Sequence, residues 1–290
     1  MIAGGRSPDP VAVRRVYDHV ASKYRHAAEV AREIERRLHT RLAYLDIAPT
    51  RILDIGSGTG DYLRVLQKRY PRADVMGVDL SWGMLQQSEP RRWWQKRAIL
   101  VQSDAKALPF ADGSFDLITS NLMLFFAPDI KAVFAEVNRV LAPGGALLFS
   151  TLGPQSFQSL GAVLRGSEPD VDYIDFPDMH DVGDAMVAAG LAQPVLDSDA
   201  ITLQYSTVPA MLEEVIACGG LNLARARRRG LTSPSRRETL QAAFVRQGVQ
   251  SIDLEVVQGH AWKGAPRSSA GVPASTLPER YIPLKKMLSK

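Results

Sequence analysis

The chain has 290 residues, 46% hydrophobic and 23% charged, with a formal net charge of +4. That balance suits one large globular domain, or one domain with an elaboration. No apolar run approaches the ~20 residues of a membrane span, and MIAGGRSPDPVAVRR lacks the apolar core of a signal peptide, so no membrane partner and a cytoplasmic location are expected. The single cysteine, Cys218, excludes an internal disulfide and a cysteine-cluster metal site, and no metal is expected. Lying in the apolar stretch MLEEVIACGG, it reads as packing rather than as a nucleophile.

Residues 11–45 read as helical, because Val30, Ile34, Leu38, Leu42 and Leu45 recur at helical spacing between Arg32, Glu33, Arg36 and Arg37. Short apolar runs then alternate with helical patterns. RILDI (51–55), ADVMGVD (73–79), AILVQSD (98–104), FDLITSN (115–121) and ALLFST (146–151) read as strands. DYLRVLQKRY, SWGMLQQ and DIKAVFAEVNRVL read as helices between them. This alternation implies an α/β fold, a parallel sheet with helices on both faces. The strands are nearly all apolar, as strands buried on both faces are.

After residue 160 the rhythm changes. HDVGDAMVAAG reads as a helix stopped by Gly190, and PVLDSDAITLQY as a strand. Helices at 207–218 and 234–247 bracket a basic loop, and SIDLEVVQGHAW (251–262) reads as a last strand. If these two strands pair, the helices between them form an excursion at the sheet edge. From Gly264 onward Pro, Ser and Gly dominate, and a poorly ordered tail is expected. The expected organisation is therefore an N-terminal helical segment (1–45), an α/β core (46–206), a helical lid with a basic loop (207–250), a final core strand (251–263) and the tail (264–290).

RILDIGSGTG (51–60) places three glycines within five residues directly after a strand. Glycine loses the most conformational freedom on folding, so this density marks unusual φ values or a close approach to a ligand. No Gly-Lys-Ser/Thr ending follows, which excludes a nucleotide triphosphate loop. The spacing is G-x-G-x-G, not the G-x-G-x-x-G of dinucleotide sites. Asp79 nevertheless ends the second strand, where a carboxylate can accept hydrogen bonds from both ribose hydroxyls.

Five stretches in order resemble the class I S-adenosylmethionine-dependent methyltransferases: D-I-G-S-G-T-G, the acid ending strand two, S-D-A-K-A-L-P-F, F-D-L-I-T-S-N and R-V-L-A-P-G-G. The resemblance implies a Rossmann-like seven-stranded sheet, mostly parallel with its last strand antiparallel, plus N-terminal helices and a helical lid. It also implies S-adenosyl-L-methionine as cofactor. Gly56, Gly58 and Gly60 would face its methionine part, Asp54 its ammonium, Asp79 the ribose, and Asp104 with Ala105 the adenine edge. Asn121 and Leu122 would line the floor near the sulfonium, with Ser57, Leu80 and Met84 also at the cofactor. The physics agrees, since this cofactor has no phosphate to need a lysine and carries positive charge that suits carboxylates.

Y-D-H-V-A-S-K-Y-R-H-A, S-T-L-G-P-Q-S-F-Q-S-L, F-P-D-M-H-D-V-G-D-A-M, L-N-L-A-R-A-R-R-R-G-L-T and G-H-A-W extend the likeness over most of residues 14–263. Together they resemble one branch, the malonyl-acyl-carrier-protein O-methyltransferases of biotin synthesis. Such an enzyme caps the free carboxylate of a malonyl thioester as a methyl ester. A carboxylate of pKa ~4 is already ionised at neutral pH and needs no general base. No obvious base is present, since His19, His26, His39, His180 and His260 are scattered, and His180 reads as part of a helix start.

The resemblance points to Tyr24, in an A-x-x-Y motif, and Asn121 as catalytic residues, with Tyr17 and Phe125 at the acceptor. Phe125 and Phe126 stand where many members of the branch have Gln-Trp, a departure that bears on acceptor choice. Arg225, Arg227, Arg228, Arg229, Arg236 and Arg237 fall within thirteen residues that contain no acid. They suit an acidic acyl carrier protein and the phosphate of its malonyl-phosphopantetheine arm, and a solvated helix face is the plainer alternative. Nucleic acid is a third option, but one short arginine run without interleaved aromatics is weak evidence for it and it is not the expected partner, and RRWWQKR (91–97) reads as helix packing. Two other readings share the architecture: a respiratory complex I assembly factor of the arginine-hydroxylase type, and a methyltransferase acting on a quinone or RNA.

Overall fold

The chain enters through two helices, α1 (Pro10–Ala27) and α2 (Glu29–Arg41), before strands and helices begin to alternate. The computed structural model describes residues 7–88, 98–167, 175–217 and 234–264. Asp9 starts α1 by accepting the Val11 N–H at 3.0 Å, with Pro10 at the first helical position. The periodicity of 11–45 resolves into two helices and a 3-10 turn at Leu42–Tyr44 rather than one rod. No helix-breaking residue stands at the join. A distant side chain favours it: Glu214 accepts the Val30 N–H at 2.9 Å and supplies the cap that Ala28 does not.

Seven strands form one sheet: β1 (Arg51–Ile55), β2 (Asp74–Asp79), β3 (Ile99–Gln102), β4 (Phe115–Asn121), β5 (Leu141–Leu152), β6 (Leu191–Gln204) and β7 (Ser251–Lys263). Their order is β3-β2-β1-β4-β5-β7-β6. All neighbours pair in parallel except around β7, which runs antiparallel between β5 and β6. This is the seven-stranded, mostly parallel sheet implied by the sequence motifs. β5 starts at Leu141, earlier than its apolar run, because Leu141 pairs with Phe115 before a register irregularity.

Both faces of the sheet are covered, which explains the continuous apolar strands. Ile52 packs with Leu38 of α2 and with Leu63 and Leu66 of α3 (Asp61–Arg69). The next residue, Leu53, joins the opposite cluster with Phe134 and Val137 of α5 (Ile130–Val140) and Met186 of α7 (Met179–Ala188). A short α4 (Trp82–Gln86) follows β2, with Ser81 accepting the Met84 N–H at 3.1 Å. The sequence reading passes over α6 (Gln158–Ser167), although Leu160, Val163 and Leu164 are buried at helical spacing. α8 (Val208–Ala217) and α9 (Pro234–Gln247) connect β6 to β7 at the sheet edge, α8 lying against α1 and α9 against α6.

Cys218, the RRWWQKR stretch, Arg225, Arg227, Arg228, Arg229 and the tail beyond Gly264 lie outside the described residues. Among the described residues no helix is long and apolar enough to cross a membrane.

Candidate functional site

β2 and β4 end in Asp79 and Asn121, and the glycine loop follows β1 beside them. A cleft opens there, between the strand ends and the α1–α2 pair, where open α/β sheets hold ligands. The loop turns through positive φ at Gly56 (77°), Gly58 (53°) and Gly60 (74°). These glycines do different things. A Cβ on Gly56 would stand 2.7 Å from the Met123 Cβ, whereas one on Gly58 would meet nothing within 4 Å and would enter the cleft. Gly60 caps α3 and does not line the cleft.

The cleft has two lobes that share Tyr24, Ala31, Gly56, Gly58 and Asn121. The first is polar and contains Glu35, Asp54, Ser57 and Tyr62. Asp54 is 3% exposed and accepts a hydrogen bond from the Thr119 hydroxyl at 2.7 Å. Burial pushes its pKa up to about 7, with the Thr119 bond opposing and the Asp79 charge adding to the rise. Glu35 is likewise pushed up to about 7, by burial first and by the Asp54 charge second. The neighbouring cations are committed elsewhere. Arg25 donates to Asp61 at 3.3 Å and to the carbonyls of Thr59 and Gln87, each at 3.1 Å, and Arg64 also pairs with Asp61. The buried Ser57 hydroxyl and Tyr62 phenol have no hydrogen-bond partner among the described residues.

Asp79 lines the second lobe and is tied to the glycine loop. Its Oδ2 accepts the Gly58 N–H at 2.9 Å and its Oδ1 the Ser81 N–H at 2.8 Å. Burial raises its pKa, opposed by those two bonds. Each oxygen keeps a further lone pair for a hydroxyl donor. Asp104, just beyond β3, accepts the Lys106 N–H at 3.0 Å and lies 3.6 Å from its ammonium.

The second lobe is aromatic. Tyr17 meets Phe126 edge-on at 5.4 Å and Tyr24 at 6.1 Å between ring centroids. Phe125 packs on Phe126 at 4.1 Å and on Phe176 at 5.5 Å, and Phe176 stacks on Phe157 at 5.8 Å. Leu80, Met84, Asp104, Ala105 and Leu122 line the same lobe. Leu122 is held at φ 53°, its N–H donating to the Ser150 carbonyl at 3.1 Å. The Asn121 amide donates to the Ala31 carbonyl at 3.1 Å and accepts from the Ser150 hydroxyl at 2.7 Å, so it ties β4 to α2 and β5.

The structure thus gathers Tyr17, Tyr24, Asp54, Gly56, Ser57, Gly58, Asp79, Leu80, Met84, Asp104, Ala105, Asn121, Leu122 and Phe125 around one cleft. His180 sits apart, in the first turn of α7, with its N–H donated to Asp178 at 2.8 Å. The sequence reading did not select Arg14, Glu35, Tyr62, Phe157, Phe176 or Glu214, which also line the cleft. Glu214 carried a signal as an acid in an apolar helix, and Phe157 and Phe176 lie inside recognisable motifs. Glu35 carried none, since it resembles every other charge on α2.

A model of the methyltransferase domain family matches residues 53–149. The chain is 35% identical over 283 residues to the malonyl-[acyl-carrier protein] O-methyltransferase of Legionella pneumophila, covering 96% of this chain and 98% of that one. It is 40% identical over 268 residues to the enzyme of that name from Gallionella capsiferriformans, covering 89% and 92%. Among solved structures it resembles the YcgJ protein of a Bacillus species, with a TM-score of 0.56 at 20% identity over 79% of this chain and 98% of that one. A methyltransferase of Thermotoga maritima gives a TM-score of 0.52 at 20% identity, over 87% and 99%. At that identity the solved structures speak for the fold alone.

Proposed function

The chain belongs to the malonyl-[acyl-carrier protein] O-methyltransferase family, and from that premise we propose that it methylates the free carboxylate of a malonyl group carried as a thioester on acyl carrier protein. The observation that carries this reading is identity of 35–40% sustained over nearly the whole chain, acceptor-side segments included. The methyl ester removes a charge, so that enzymes of fatty-acid elongation accept the chain as a primer for biotin synthesis. A cytoplasmic setting belongs to the same reading.

The residues present fit S-adenosylmethionine. Among the described residues the polar lobe holds two carboxyl groups, Glu35 and Asp54, outside any ion pair and two unpartnered buried hydroxyls, while its two arginines, Arg25 and Arg32, pair with Asp61 and Glu29 and no lysine lines it. That donor set suits an ammonium and a sulfonium. Asp54, Ser57 and the Gly56–Gly58 backbone would hold the amino-acid part, and Asp79 the ribose hydroxyls. Asp104 and Ala105 would meet the adenine edge, with Leu80 and Met84 against its faces. Gly60 would act through the loop, as the cap of α3. When bound, the cofactor supplies an electrophilic methyl group on its sulfonium.

The chain's own work is alignment and exclusion of water. Asn121, immobilised by its bonds to Ala31 and Ser150, would fix the floor on which Leu122 stands, and Tyr24 would orient the acceptor from above. Tyr17, Phe125 and their aromatic neighbours remove water from a carboxylate that is already ionised, so no proton has to be taken. Held in this lobe away from water, the acceptor carboxylate would lie opposite the positive charge that the bound cofactor supplies, and alignment by these residues would contribute much of the rate. Residues 207–250 would form a lid over the 46–206 core, with Arg225, Arg227, Arg228 and Arg229 receiving the acidic carrier and its phosphate. The test is mass spectrometry of malonyl-carrier protein incubated with enzyme and S-adenosylmethionine. Gain of one alkali-labile methyl group is expected. No gain, or an alkali-stable methyl on carbon or nitrogen, overturns the reading.

A further inference from the structure

We propose that Glu35 is a second carboxylate of the amino-group site, and that with Asp54 it makes cofactor binding release protons. The inference rests on the cofactor reading above and adds a residue that no motif marks. Glu35 stands on α2 and lines the same polar lobe as Asp54, at the end of β1. Two further side chains show that this lobe is built for a ligand. Tyr62 is 3% exposed and Ser57 7% exposed, and both line the lobe with a hydroxyl that has no partner among the described residues.

The charged and titratable groups around Glu35 are few. Tyr24 and Arg25 come from α1, Arg32 and His39 from α2 itself, Asp54 from β1, and Asp61, Tyr62 and Arg64 from α3. Arg32 pairs with Glu29 and donates to the Arg25 carbonyl, while Arg25 and Arg64 are held by Asp61. Burial, and after it the Arg69 charge, lowers the pKa of His39. Among the described residues Asp54 has only the Thr119 hydroxyl as a side-chain partner, and Glu35 makes no hydrogen bond or ion pair. Burial, with the Asp54 charge adding to it at Glu35 and the Asp79 charge at Asp54, outweighs the opposing charges of Arg64 and Arg32 on Glu35 and the Thr119 bond on Asp54, so both keep protons to about pH 7. An ammonium placed between them favours both ionised forms, so the protons leave as it enters.

Calorimetry with S-adenosylhomocysteine tests this without turnover, because that molecule carries the same amino-acid part. Titrations at pH 6.0 and 7.5, in two buffers of different ionisation enthalpy, count the protons released. A group of pKa about 7 goes from roughly one-tenth to three-quarters ionised over that range, so wild-type affinity should rise about eightfold per group. Glu35→Gln should release about one proton fewer at pH 6.0, show a flatter pH dependence and bind about tenfold more weakly at pH 7.5. Asp54→Asn should remove the other proton. Wild-type protein that binds without releasing protons overturns the proposal, whatever the variants do. So does Glu35→Gln with wild-type affinity and proton count. Wild-type protein that does not bind S-adenosylhomocysteine at all overturns the cofactor reading itself.

Discussion

The three glycines of the loop look alike in sequence, and their surroundings predict different outcomes for the same substitution. Gly56→Ala places a methyl 2.7 Å from the Met123 Cβ and 2.8 Å from its Cγ, at a backbone φ of 77°. The Cβ is rooted on the backbone and cannot swing aside. Left-handed φ costs an alanine ~1–2 kcal/mol, and overpacking a tight site costs ~1–3 kcal/mol more. Together these remove about 2–5 kcal/mol from a stability that is typically only ~5–15 kcal/mol. Gly58→Ala meets nothing within 4 Å, so only the φ term of ~1–2 kcal/mol applies. Its methyl instead enters the cleft, where the cofactor is expected. Urea denaturation should therefore show a much lower midpoint for Gly56→Ala than for Gly58→Ala, while calorimetry with S-adenosylhomocysteine shows the larger affinity loss per unit of stability in Gly58→Ala. Equal midpoints for the two variants, or wild-type affinity in Gly58→Ala, would refute the reasoning.

Four further outcomes are expected. Glu214→Ala removes the cap of α2 and its bond to the Val30 N–H, so stability should fall by ~1–3 kcal/mol and exchange of the Val30 amide should quicken; a change under about 0.5 kcal/mol tells against the cap. Asp79→Asn should weaken S-adenosylhomocysteine binding roughly 10–100-fold by calorimetry, the range for hydrogen bonds to a charged group, and unchanged affinity contradicts its place at the ribose. Glu35 keeps its proton in the folded state up to about pH 7 but loses it near pH ~4.3 when unfolded, so its contribution to stability falls as pH rises through that window. Glu35→Gln, measured by thermal unfolding without ligand, should gain stability relative to wild type between pH 5 and 8, and a pH-independent difference counts against this. Reversing charge at Arg227, Arg228 and Arg229 should raise KM for malonyl-carrier protein while sparing a free malonyl thioester; equal effects on both substrates rule out carrier docking.

The fold was largely legible because its signals are local. Runs such as RILDI and FDLITSN are apolar throughout because Ile52 and Leu53 face opposite helix layers, and that pattern survives in one dimension. The loop glycines and Asp79 were legible for the same reason, since a strand-to-helix turn needs particular backbone angles within a few residues. Sequence by itself therefore determined the mostly parallel α/β sheet, the strand ends at which the cleft opens and the absence of a phosphate loop. Tertiary structure alone decided which charges matter. Glu35 is one acid among several on α2 until folding sets it beside Asp54, with Arg25 and Arg64 turned onto Asp61. The α1–α2 break and the aromatic lobe joining Tyr17, Phe125, Phe157 and Phe176 likewise depend on partners far apart in the chain, Glu214 reaching Val30 across 184 residues. Periodicity records which side of an element is apolar, whereas the free energy of a buried carboxylate depends on its neighbours in space, and those neighbours are set only when the chain closes on itself.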